Sequence, residues 1–379
     1  MSEPLFNHDD SLGFLNENLP IVEKLAQLHK AVRTSLPFIQ RVAVALYDEK
    51  SDLLKTFVHS SDAQHPLVHY QARLADARSL REVVRLGRPR VVNDLRIFSP
   101  GVHEHSKRLL AEGYGASYTM PMYIRGRFCG LVFFNSRERD VFNDAVLHQL
   151  DLFGHLLSLT IINELQNMQT LVNAVHTARD MARQRDNETG AHLDRMSRYA
   201  RLIAVHLADK YRLDDNFIEH LFMFSPLHDI GKIAIPDRIL LKQGKLTEEE
   251  FEEMKTHTVK GRAFIDTMLD NFGFDELEHS AMLRNIAELH HEALNGSGYP
   301  HGLSGAEIPI EARIIAVADI FDALTSRRPY KEAWSNEAAV EALQCMADHT
   351  LDRDCIDALL AEMDQVREIQ ARFEENPFG

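Results

Sequence analysis

The chain has 379 residues, 45% of them hydrophobic and 26% charged, with a mean hydropathy of -0.26; that is long for one compact core, so two domains are expected. Forty-two basic residues against 57 acidic ones give a net charge of -15, which argues against a surface that grips long nucleic acid. The best apolar run, 152–162, falls short of the roughly 18 residues of a membrane span and contains His155. The N-terminus lacks a secretory pattern and three cysteines make no disulfide framework, so a cytoplasmic chain without a membrane partner is expected.

Residues 1–18 read as a polar lead-in. The stretch 22–28 has helical spacing, 41–47 is a short β-branched strand, and 48–51 reads as a turn. Residues 116–124, the turn 125–127 and the apolar run 129–135 give a hairpin signal. This mixture predicts an α+β domain over 19–160. Through the 41–47 strand, the Val91-Val92-Asn93-Asp94-Leu95 segment and the 117–135 hairpin, the region resembles a GAF sensory domain. The resemblance implies a small ligand or signal whose identity the sequence does not give, and no cyclic-nucleotide signature is visible. Asn93 and Asp94 read as a turn. Cys129 reads as a buried strand cysteine rather than a redox sensor, and His103 and His105 as loop residues rather than cofactor ligands.

At Ile161 the period changes. Ile161, Leu165, Met168, Val172 and Val175 are spaced 4, 3, 4, 3, a heptad seam. One helical linker over 161–187 is predicted, paired in parallel across a homodimer; the alternative is a helix packed on its own domain. From 188 to 379 helical patterns dominate, at 192–210, 214–230, 247–270, 276–292, 311–326 and 336–347. Thr247 and Glu250 form a capping-box signature.

Within this helical part, Glu188 and His192 are four residues apart and share a helix face. His228-Asp229 lies in an apolar segment, where an Asp needs a cation or dense hydrogen bonding; Lys232, three residues on, offers an ion pair as the plainer reading. His257 is placed mid-helix. The adjacent His290 and His291 precede the glycine-rich loop 295–300, and Asp319 interrupts an apolar helix. Five imidazoles and three carboxylates without thiolate suit two or three divalent transition metals, among Fe, Mn, Ni and Zn.

Taken in order, 185–192, His228-Asp229-Ile230-Gly231-Lys232, 241–246, His257, His290-His291-Glu292, Gly298-Tyr299-Pro300, 318–325 and 327–331 resemble an HD-GYP domain, the metal-dependent branch of the HD phosphohydrolases. The resemblance covers almost 150 residues; Leu294 and Asn295 depart from it without touching a ligand group. It implies hydrolysis of cyclic di-GMP to pGpG and on to GMP. His192, His228, Asp229, His257, His290, His291 and Asp319 would be metal ligands, with Asp229 bridging and Glu188 added in three-metal sites. Fe or Mn would be the metals. Lys232, Arg328 and Lys331 would hold phosphate, and Gly298, Tyr299 and Pro300 would shape the pocket. The chemistry is consistent, since two closely spaced divalent ions activate water and clamp a phosphodiester. Glycines 296 and 298 are expected to let the backbone approach a ligand. The competing readings are an HD phosphohydrolase for another cyclic dinucleotide and a non-catalytic cyclic di-GMP-binding adaptor.

Overall fold

The computed structural model describes residues 10–62, 69–98, 104–181, 190–274, 278–326 and 332–374, with backbone alone at 104–106, 175, 176 and 178–181. The chain forms two compact units, Met1–Asn167 and Met168–Gly379.

The first unit is built on an antiparallel sheet. Its strands are β1 (Arg41–Asp48), β2 (Leu53–Ser61), β3 (Gln71–Arg73), β4 (Arg90–Val92), β5 (Ala116–Ile124) and β6 (Arg127–Ser136). They lie in the order β3-β2-β1-β6-β5-β4. The predicted strand and hairpin are β1 and β5–β6; β2 was not singled out, because its polar residues dilute the alternation. Around the sheet lie α1 (Ile21–Ser35), α2 (Arg78–Leu86), α3 (Glu104–Ala111) and the long α4 (Asp144–Met181). Successive side chains of a strand point to opposite faces. Val42, Val44, Tyr118, Met120, Val132 and Phe134 therefore share one core with Leu25 and Leu28 of α1 and Leu150, Leu157 and Ile161 of α4. Ala43, Ala45, Leu131 and Phe133 face the other way, against Leu80 and Val83 of α2.

Helix α4 qualifies two expectations. Asp144–Ala174 contains an 18-residue window of mean hydropathy 1.4, enough by length and composition for a span; its polar residues are too scattered to leave one unbroken apolar run. Part of this stretch fills the sheet's core. Ile161, at the head of the predicted heptad seam, is buried in that core and Leu165 packs against it, so these two positions already have partners within the chain.

The second unit contains α5 (Gly190–Tyr211), α6 (Asp215–Phe224), α7 (Asp237–Leu240), α8 (Glu248–Lys255), α9 (His257–Phe272) and α10 (Ser280–Leu289). There follow α11 (Ile310–Thr325), α12 (Asn336–Met346), α13 (Arg353–Ala361) and α14 (Met363–Arg372). Two predicted helices are broken. The 214–230 segment stops at Phe224 and continues as 3-10 turns, Ser225–Leu227 and Ile230–Ala234, because Pro226 has no N–H to extend the ladder. The 247–270 segment divides at Thr256. His257 is accordingly the first residue of α9 rather than a mid-helix one. The capping box of Thr247 and Glu250 is present. Helices α13 and α14 were not anticipated, although Asp352 caps α13 by accepting from the backbone N–H of Asp354 and Cys355.

Candidate metal centre

Five elements deliver the polar residues: α5 brings His192, the turn after Leu227 brings His228 and Asp229, α9 starts with His257, α10 ends into His290 and His291, and α11 carries Asp319. The turn lies hard against α9. A Cβ on Gly231 would stand 1.8 Å from the carbonyl oxygen of His257 and 2.5 Å from the amide nitrogen of Gly261. Only glycine permits that approach, which sets Asp229 beside His257.

Four of the five rings are held by Nδ1. That atom of His228 donates to the carbonyl of Ser225 at 3.0 Å, of His257 to Met254 at 2.7 Å and of His290 to Ile286 at 2.9 Å. A carbonyl cannot donate, so the proton is on Nδ1 and the Nε2 lone pair points inward. His192 is held by a carboxylate instead, with Nδ1 at 2.8 Å from Oδ2 of Asp322. The sequence reading did not assign Asp322 a role. It is fully buried, and Arg195 grips both its oxygens at 2.7 and 2.9 Å. Burial opposes its charge, but hydrogen bonds from His192 and Arg195 hold it ionised, below the usual carboxylate range. The signal that could have found it is its position one helical turn after Asp319, on a face otherwise apolar.

The inward atoms converge on Asp229. Its Oδ1 lies 3.1 Å from Nε2 of His257 and 3.7 Å from Nε2 of His290, and its Oδ2 lies 3.2 Å from Nε2 of His228. Asp319 Oδ1 stands 3.7 Å from Nε2 of His192 and 3.9 Å from that of His228. Two groups could each hold an ion, Asp229 with His257, His290 and His291, and Asp319 with His192 and His228. The Nε2 atoms of His257 and His290 and Oδ1 of Asp229 are buried without a hydrogen bond. Buried polar atoms are rarely left so, and donor atoms this close with none between them suit a cation. Burial also pushes the pKa of His290 and His291 down, for His291 well below the ordinary value, keeping these imidazoles in the neutral, ligating form. Burial works against the charge of Asp229, yet Lys232 and then His228 hold it well below the carboxylate range.

Lys232 Nζ is 2.5 Å from Oδ2 of Asp229, the ion pair that its spacing allowed. Tyr299 lies over the site, its ring 4.7 Å from that of His291. The loop carrying it is anchored by Glu292, a buried acid that accepts from the backbone N–H of His301 at 2.7 Å and of Leu303 at 2.9 Å. Gly298 differs from expectation. A Cβ there would meet the amide nitrogen of Ala293 at 2.3 Å and Cα of Glu292 at 2.5 Å, so the close approach is to the chain itself. Pro300 follows Tyr299 through a cis peptide bond. At the rim, Phe251 is 47% exposed with its ring 6.4 Å from that of Tyr299, and Lys255 Nζ lies 5.7 Å from the Tyr299 ring. Glu188, Arg328, Lys331 and His103 lie outside the described residues, as does the His105 side chain. Cys129 is part-buried, and burial pushes its thiol up to about 11, the opposite of a reactive thiolate.

Residues 177–355 match the family model of the HD domain, and residues 20–161 that of the GAF domain. The cyclic di-GMP phosphodiesterase response regulator RpfG of Xanthomonas campestris is 46% identical over 189 residues, covering 50% of this chain and 47% of that protein. A cyclic di-GMP phosphodiesterase of Vibrio cholerae is 38% identical, covering 59% of this chain and 48% of its own. The 3'3'-cGAMP-specific phosphodiesterase 2 of the same organism is 34% identical, over 63% and 47%. The chain thus spans about half the length of these curated relatives. The matches fall on the two architectures described above, the antiparallel sheet matching a GAF domain over residues 20–161 and the histidine-bearing helical unit an HD domain over residues 177–355.

Proposed function

We propose that the chain is a metal-dependent phosphodiesterase that opens cyclic di-GMP to pGpG, continues to GMP, and is regulated through its GAF domain. The observation that carries this reading is the convergence of anchored imidazoles on the two oxygens of one part-buried aspartate. Relatives named for cyclic di-GMP hydrolysis support the substrate. His192, His228, His257, His290, His291, Asp229 and Asp319 would hold two divalent ions, Fe or Mn, with Asp229 shared between them. Such ions supply Lewis acidity and an activated water. Asp322 would keep His192 oriented, its carboxylate fixing the proton on Nδ1.

Lys232 would turn from Asp229 to a phosphate oxygen when substrate arrives. Tyr299 would form the wall beside the substrate, with Gly298 and Pro300 setting its position. Arg328 and Lys331 would bind phosphate, the arginine suiting a bidentate contact. Glu188 would add a third ion with His192 and favour the second cut by binding the 5′-phosphate of pGpG. We place the sensor at 19–160, a helical link at 161–187 and the effector from 188 onward, in a cytoplasmic homodimer. Anaerobic purification, metal quantification and product chromatography test the reading. Bound metal with pGpG and GMP as products is expected; metal-replete protein that leaves cyclic di-GMP intact would overturn it. A second reading, hydrolysis of 3'3'-cGAMP, is favoured by the relative of that name, and assaying both dinucleotides side by side decides between them.

A further inference from the structure

Arg195 stands one helical turn after His192 on α5, is 5% exposed, and has its guanidinium held on three sides. One side is Asp322, gripped through Nε and Nη2. On the second, Nη2 also donates to Oγ of Ser326 at 2.6 Å, and that hydroxyl donates onward to Oδ2 of Asp322 at 2.9 Å. Ser326 caps the C-terminus of α11, its backbone N–H donating to the carbonyl of Asp322. On the third, Nη1 donates to the backbone carbonyl of Phe373 at 2.8 Å. The first two sides belong to α11. The third comes from the chain just beyond α14, 178 residues from Arg195 in sequence.

Phe373 is fixed by two contacts of its own. Its N–H donates to the carbonyl of Ile369 at 3.0 Å, and its ring lies 4.1 Å from the guanidinium of Arg198, the next turn of α5. Arg198 donates in turn to the carbonyl of Asp194 at 2.8 Å and lies 5.4 Å from the Phe222 ring. A cation against the face of an aromatic ring is attracted more strongly where water is kept out, and Arg198 is only 7% exposed. Carbonyls at the end of a helix have no partner within it; here one of them orients a side chain. A guanidinium is a rigid planar fork, so holding Nη1 sets the direction from which Nε and Nη2 meet Asp322.

The two groups of the metal centre differ in their relation to this network. Asp322 holds the Nδ1 of His192, which belongs with His228 and Asp319 to one group. The other, Asp229 with His257, His290 and His291, takes its anchors from the carbonyls of Met254 and Ile286.

We infer that Phe373 is a positioning residue for the metal centre: by closing the third side of Arg195 it holds Asp322 and so sets His192, which makes the chain beyond α14 act on the Asp319–His192–His228 group and not on its neighbour. The inference rests on the metal-dependent phosphodiesterase reading.

The test is calorimetric titration with Mn(II) of full-length protein freed of metal by a chelator, in the parent and in Phe373→Ala. The parent is expected to take up at least two ions. In Phe373→Ala one of them should bind roughly 3–10-fold more weakly, just under the range for a direct partner of a metal ligand, and another equally well. Phe373→Tyr, which keeps the ring over Arg198, should restore the parent affinity. In a chain already carrying Asp319→Asn, the ion that remains should bind alike with and without Phe373→Ala. Should the alanine variant not fold, Phe373→Leu keeps an apolar side chain, loses the ring over Arg198 and should show the same one-ion effect. Equal affinities in parent and variant, weakening of all ions alike, or no recovery with Phe373→Tyr overturns the inference, the second because it marks a general loss of structure. A parent that shows the one-ion effect yet cleaves no cyclic dinucleotide would sink the phosphodiesterase reading and leave Phe373 its role; a parent that takes up no Mn(II) overturns both.

Discussion

Across the GAF sheet, Asn135 accepts from Arg41 and donates to Ser117, and Thr119 accepts from Arg90. That row of buried polar groups is nearly closed on itself, with Nε of Arg41 and Nε of Arg90 left over. Around Asp229 the pattern differs. His257 and His290 are tied down by Nδ1, while their Nε2 ends converge on a carboxylate oxygen without a hydrogen bond. A closed network specifies packing; one anchored at its outer ends and open at its inner ends presents ligands. The same measure, which atoms are left over, finds ligand atoms converging on one carboxylate in the second unit and only separate guanidinium nitrogens on the sheet of the first.

The largest effect that can break this comparison is at Asp229. Its two oxygens face different histidines, so Asp229→Ala should empty the centre and take hydrolysis below detection, while the far-ultraviolet circular dichroism stays native. A variant that kept both metal and turnover would refute the shared role. Next comes Asp322, which touches no inward atom except through His192. Asp322→Asn should lower metal affinity and turnover by about 10–100-fold, the range for partners of a metal ligand. It should also destabilise the unit by about 3–5 kcal/mol, because Arg195 loses its buried counter-charge. Metal titration and urea unfolding of the same preparation read both effects; a change in neither would make the Asp322–His192 contact incidental.

A smaller effect is expected at the rim. Phe251 is a half-exposed aromatic beside Tyr299, where a base could stack. Base–aromatic stacking contributes about 1–3 kcal/mol. Phe251→Ala should therefore raise KM for cyclic di-GMP roughly tenfold with little change in kcat. A fall in kcat at constant KM would place Phe251 in catalysis instead.

How far these sites were legible follows from the same distinction. His228-Asp229 and Asp319 stand out in the sequence because charge inside an apolar helix pattern has few explanations. Asp322 stands in the same apolar pattern and was passed over, because its role exists only through a partner 130 residues away in sequence. The helix breaks at Pro226 and Thr256 were hidden under continuous apolar periodicity, which records burial and not whether a turn is α or 3-10. Gly231 is plain in the sequence, but its use, a contact with the backbone of His257, is a tertiary fact. On the sheet, Arg41 and Arg90 read in the sequence as ordinary strand cations, and only the register places them on one face.

The smallest expected effect tests a third buried polar group, one that neither centre uses. His220 is fully buried on α6, its Nδ1 donating to the carbonyl of Asn216 at 2.8 Å and its ring 4.4 Å from that of His279. Burial, and then the neighbouring His279, push its pKa down to about 3. In the unfolded chain the value is about 6.5, so the unfolded state takes up the proton first as the medium is acidified. This contribution to stability is complete above about pH 6.5 and is lost as the pH falls toward 3. At pH 5 the loss amounts to about 2 kcal/mol. His220→Phe would remove the titration while filling the space beside Phe224, whose ring is 5.6 Å away. Trp334, the one tryptophan of the chain, reports unfolding of the second unit by its fluorescence. Between pH 7 and pH 5 the parent should lose about 2 kcal/mol more than the variant. Equal losses would mean that His220 is protonated in the folded state, and that its Nε2 has found a proton acceptor.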